Sequence, residues 1–272
     1  MWPILVFGVF AGLSAYVGIY LARATWLSDR HRTWITYISI GIILFVIYDL
    51  LSDSTNLVSD SASGGGYVSI GLPLLLLSGV GAGFAILLGL EKLAARSRPS
   101  PIPSAPIDPT RPNSPGKPLV GALPLPFLVA IGMGVHGLFE GFAVGAAFAT
   151  GILSVALVLA VGIFLHKSAE GYCVCGCALT ATSTYSSAQL AGLGLMIGAP
   201  LFLGILAGNT LASIPEISLL SYGVAVGVMG YVVIRLTLFS ARSTDMAAIL
   251  VGCATGFAIG FATSVLVALG GA

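Results

Sequence analysis

Two histidines, His136 and His166, each stand four residues before a glutamate, Glu140 and Glu170. On a helix, side chains four apart lie one above the other on the same face, so each His–Glu pair can point at a common target. Imidazole nitrogen and carboxylate oxygen are both ligands of zinc-like divalent cations. The flanking segments also repeat. HGLFEGFAV at 136–144 and HKSAEGYCV at 166–174 share His, Glu, Gly, an aromatic residue and Val at one constant spacing. Gly141 and Gly171, one after each Glu, leave room for facing backbones to approach. Lys167 adds a fifth ionisable group to the same stretch.

The elements that must position these residues are membrane spans. The chain is 57% hydrophobic and only 8% charged, with a mean hydropathy of +1.04. Soluble domains carry about 25% charged residues, so lipid is the solvent this composition fits. A membrane helix needs about 20 apolar residues, and eight stretches qualify: 3–23, 34–52, 67–95, 121–149, 152–180, 187–208, 217–239 and 246–270. The expected fold is therefore an all-α integral membrane protein with eight transmembrane helices. The apolar start, 1–22, lacks the basic segment that precedes a signal-peptide core and reads as a retained first span.

Spans four and five, folded as an antiparallel hairpin about 150–153, put His136 level with Glu170 and Glu140 level with His166, because each facing pair has the same residue-number sum. The site lies roughly mid-membrane. Each ionisable residue there costs about 2.5–3.5 kcal/mol on insertion scales. One His–Glu pair can be a mutually satisfied hydrogen bond; two level pairs point to a four-ligand metal site.

Cations set the expected orientation. Arg23, Arg30 and Arg32 lie between spans one and two; Lys92, Arg96, Arg98, Arg111 and Lys117 flank or fill the connection between three and four; Arg235 and Arg242 lie at the join of seven and eight. Positive-inside bias puts these connections in the cytoplasm of a multi-pass cell-membrane protein and both termini outside. Residues 97–118 form a proline-rich linker, expected to be extended and mobile, which divides the single membrane domain into 1–96 and 119–272. With a net charge of +1 and no basic patch, nothing favours nucleic acid. The cysteines, Cys173, Cys175, Cys177 and Cys253, lie in apolar runs and argue against a disulfide framework. Cys173 shares the face of His166 and Glu170 and reads either as an apolar filler or as a soft ligand on the way out.

HGLFEGFAVG at 136–145 and HKSAEG at 166–171 resemble the fourth- and fifth-span signatures of the ZIP family of zinc and iron transporters. GIILFVIYDLLSD at 41–53 is similar to that family's second-span pattern. The resemblance implies a 3+2+3 arrangement with inverted repeats, zinc (or iron, manganese or cadmium) moved toward the cytoplasm, and frequent homodimers. It also places Asp49 and Asp53 where metal is admitted, although Asp53 reads equally as an interfacial charge. Departures from the pattern concern the second ion of binuclear members: Gly137, Lys167 and Ala199 stand where that ion's ligands would be. One metal is therefore expected, held by His136, Glu140, His166 and Glu170, with Lys167 as the electrostatic stand-in for the other. Both motifs also lack the family's usual proline, carrying Phe139 and Ala169.

The alternative from another class is an intramembrane metal-dependent hydrolase, in which the ion activates water. It calls for a general base, commonly the Glu of H-E-x-x-H, and that motif is missing from the sequence. A metal sensor without flux ranks below both, since the linker is poor in ligands.

Overall fold

The computed structural model describes residues 2–62, 67–96, 125–149, 153–180, 185–211, 215–240 and 246–270. The proline-rich linker lies outside them. All described elements are helices: α1 (Trp2–Ala22), α2 (Asp29–Ala62), α3 (Tyr67–Arg96), α4 (Leu125–Ala149), α5 (Leu153–Thr180), α6 (Ser187–Leu211), α7 (Pro215–Ser240) and α8 (Met246–Gly270). In lipid no water can satisfy exposed backbone groups, so a chain this apolar closes its hydrogen bonds within helices. Helices α1, α2, α3, α4, α6, α7 and α8 are long and apolar enough to cross a membrane. The chain is thus a multi-pass helical membrane protein. Among the described residues α5 does not meet that measure, and α5 is the helix that carries His166, Lys167 and Glu170.

Polarity is distributed as lipid requires. Large apolar side chains such as Val6, Phe10, Leu74, Leu77, Leu250 and Phe261 face outward, whereas His136, Glu140, Lys167 and Glu170 are buried. The N-terminus of α2 reaches further than the apolar run predicts: the Asp29–Arg32 turn is helical, and the Arg32 guanidinium binds the carbonyls of Ala22, Ala24 and Leu27 at the end of α1.

Four intimate parallel pairs build the bundle: α1 with α5, α6 with α4, α2 with α8, and α7 with α3. Small residues make them possible. A Cβ on Gly18 of α1 would strike the backbone of Ser168 and Tyr172 in α5, and a Cβ on Gly204 of α6 would strike the backbone of Leu138 and Phe142 in α4. Leu138 and Phe142 precede Ser168 and Tyr172 by the same spacing that relates the two His–Glu pairs. The correspondence extends to the other pairs. Gly41 on Cys253 and Gly256 on Ile38 join α2 to α8; Gly227 on Val80 and Gly83 on Val224 join α7 to α3. One sequence offset carries Gly18 to Gly204, Ile38 to Val224 and Gly41 to Gly227, and a second carries Val80 to Cys253 and Gly83 to Gly256. Gly12 of α1 and Gly198 of α6 are related by the first offset and pack backbone to backbone against each other.

Candidate metal centre

The central pair, α4 and α5, meets where its charges are. His136 Nε2 lies 3.6 Å from Glu140 Oε2 and 3.7 Å from Glu170 Oε1, and His166 Nε2 is in direct contact with Glu140 Oε1. One ligand atom from each of His136, Glu140, His166 and Glu170 falls within 4.8 Å of all the others. The level pairing expected from the hairpin is therefore found, although its turn, 150–152, lies outside the described residues. Gly171 packs on the backbone of Ala15 and Gly141 on that of Leu201, so α1 and α6 brace the two ligand helices from opposite sides.

Among the described residues neither ring nitrogen of His136 finds a hydrogen-bond partner, although the residue is wholly buried. Buried polar groups are ordinarily paired, and leaving one unpaired costs stability. An imidazole held without a hydrogen bond beside two carboxylates can accept a cation. Two nitrogens and two carboxylates match the four-coordinate preference of zinc-like ions.

Lys167 occupies the same chamber. Its ammonium lies 2.9 Å from Glu140 Oε2 and donates to both oxygens of Glu170, at 2.8 Å each. It sits next to Gly137, where even a Cβ would come within 3.4 Å of Lys167 Nζ. A side chain of amide size at 137 would compete for that space. One cation on two buried carboxylates leaves the chamber with one net negative charge when both histidines are neutral.

Among the described residues, a cavity of about 410 Å³ meets the chamber on the side of Glu140 and His166 and is also lined by Asp49 and Asp53. Asp49 accepts a hydrogen bond from the Ser264 hydroxyl at 3.1 Å. His136 and Glu170 are not among the residues that line this cavity and are at most 1% exposed. Both aspartates singled out in the sequence thus line the same cavity as Glu140 and His166. Ser264, Tyr222 and Thr263 line the same cavity, and sequence reasoning missed them. Hydroxyl side chains are common in membrane helices and carry no spacing that would single these out.

Cys173 is buried next to Glu170 on α5 but is not one of the four clustered ligands. Cys175 is buried elsewhere on α5, and the Cys177 side chain lies outside the described residues. His31 is exposed and bonds Ser28 at the start of α2, away from the centre.

No protein-family model matches this chain, and no curated protein matches it. The functional reading accordingly rests on the residues and their geometry.

Proposed function

We propose that this protein carries a divalent transition-metal cation, zinc first, across the membrane through a single-ion centre made of His136, Glu140, His166 and Glu170. The observation that carries this reading is the convergence of the four ligand atoms within 4.8 Å, among them a buried imidazole with no hydrogen bond, beside a carboxylate-lined cavity. Asp49 and Asp53 attract the cation at the mouth, and Glu140 and His166 receive it first because they face the cavity. His136 and Glu170, which do not line the cavity, complete the coordination.

The ion must compete with Lys167 for both carboxylates. That competition keeps the site from holding a cation permanently, as a carrier requires, since tight resident binding would prevent release. It also favours one ion over two, because the ammonium fills the space beside Gly137.

The repetition of helix contacts at constant offsets supports a 3+2+3 arrangement, in which α1–α3 and α6–α8 form inverted repeats around α4 and α5. In this reading α5 is the eighth span, shielded from lipid by its neighbours. Transporters built this way place substrate at the repeat interface near the bilayer midplane and alternate access between the two faces. Positive-inside bias makes the arginine-bearing end cytoplasmic and puts the aspartate-lined mouth outside, so uptake into the cytoplasm is the expected direction.

The test is metal uptake by the purified protein in proteoliposomes across a panel of divalent ions. His136→Ala and Glu170→Ala should each abolish flux while the protein still folds. Flux at the parent rate in both variants would refute the reading.

A further inference from the structure

The cavity beside Asp49 has a counterpart position at the opposite end of the bundle. The offsets that relate the helix pairs carry Asp49 to Arg235, Phe45 to Tyr231, Ser264 to Glu91 and Phe257 to Phe84. Side-chain geometry follows the same relation. Phe45 packs edge-on against Phe257 with ring centres 5.5 Å apart, and Tyr231 packs edge-on against Phe84 at 5.3 Å. Ser264 donates to Asp49, and in the equivalent place Arg235 donates to Glu91. The Tyr231 hydroxyl donates to the other oxygen of Glu91.

The two ends nevertheless differ in one physical respect: one is open and the other is packed shut. Gly162 of α5 lines the cavity and, among the described residues, has nothing within 4 Å of where its Cβ would be. Its counterpart in α4, Gly132, is crowded: a Cβ there would lie 2.5 Å from Val232, 3.1 Å from Leu87 and 3.5 Å from Val228. Val232, Leu87 and Val228 are fully buried. A weak hydroxyl–carboxylate contact spans α8 and α2 at the open mouth, whereas an ion pair spans α3 and α7 at the closed one.

We infer that Glu91, Arg235 and Tyr231 form a latch over a second mouth of the cation path, and that its release opens a cavity equivalent to the one beside Asp49. The inference rests on the transport reading for what passes through that mouth. Once Arg235 swings away, Glu91 is left as a carboxylate on the route out from His136 and Glu170, and a divalent cation leaving the centre competes with the guanidinium for it. Cation arrival and latch opening are thereby coupled through one carboxylate.

Cysteine accessibility in reconstituted vesicles, measured without metal, tests the latch against a plain structural staple. Val232→Cys reports the closed mouth and Leu165→Cys, which lines the open cavity, reports the other; rates are read above the parent chain's own cysteine background. Val232→Cys should react slowly with an impermeant maleimide from the arginine-bearing face. Adding Glu91→Gln or Arg235→Gln should speed it about fivefold, the population change expected when a contact worth about 1 kcal/mol is lost, while labelling of Leu165→Cys slows. Should single variants fold poorly, the charge-reversed double variant Glu91→Arg with Arg235→Glu restores the pair and should restore slow labelling. Unchanged labelling of Val232→Cys, or an equal rise at both reporters, overturns the latch. The two readings fail separately: zinc flux with no labelling change removes the latch alone, and reciprocal labelling changes without zinc flux remove the transport reading alone.

Discussion

Lys167 is the residue on which the chemistry of the centre turns. Removing one partner of a buried charged cluster leaves uncompensated charge and costs about 3–5 kcal/mol. Lys167→Met leaves Glu140 and Glu170 without their shared cation, so the metal-free variant should melt well below the parent in detergent. Because zinc can replace the missing charge, the stabilisation on adding zinc should exceed that seen for the parent. A metal-free variant as stable as the parent would show that Lys167 is not holding the carboxylates. Metal analysis of the zinc-loaded parent should give one ion per chain; two tightly bound ions would defeat the stand-in role. Cys173 lies outside the four-ligand cluster, so Cys173→Ser should leave that stoichiometry and the uptake selectivity unchanged. Spacing was enough to make the four ligands legible in the sequence, because helical periodicity alone stacks residues four apart. The ammonium's hold on both carboxylates was not, since a lysine next to a histidine in sequence can point to several neighbours.

At the scale of elements, the helices are held by close backbone approach and not by a hydrophobic force, which lipid does not supply. Gly18 and Gly204 hold equivalent positions in the α1·α5 and α6·α4 pairs, and each faces neighbouring backbone that cannot give way. Gly18→Val and Gly204→Val should therefore each destabilise the protein by about 1–3 kcal/mol, the range for overpacked sites. Gly81→Ala and Gly89→Ala, where a Cβ meets nothing within 4 Å, should be neutral or slightly stabilising. Denaturation in mixed detergent micelles compares the four directly, and equal losses at all of them would contradict glycine-mediated packing. Helix positions were readable from apolar run lengths, although α2 runs on to Ala62, beyond the expected end at 52, and among the described residues α5 does not reach the length and apolarity of a span. Which glycines touch a partner was not, because the sequence is dense in glycine and only helix orientation sorts contacting from free ones. The early start of α2 has a similar cause: Arg32 reaches back to three carbonyls around the end of α1, a contact that hydropathy does not register.

For the molecule as a whole, orientation is the property most open to test. Trp26 lies exposed in the turn between α1 and α2, and Asn56 lies exposed near the far end of α2. Impermeant thiol reagents should label Trp26→Cys and the linker variant Ser104→Cys from the cytoplasmic side of cells, and Asn56→Cys from the outside. Labelling of all three from one side would overturn the topology. The same experiment fixes which face the aspartate-lined cavity opens toward.

Sequence alone determined that the chain belongs in lipid, where its helices lie, and that two His–Glu pairs stand level with each other. These depend on composition, run length and helical period, which are local quantities. Tertiary structure decided what sits between those pairs and which of their residues border a cavity. The two halves share their contact pattern, yet Gly162 borders a cavity while Gly132 is packed against Val232 and Leu87. No local pattern separates those two glycines, because the difference lies in side chains contributed by helices far away in sequence.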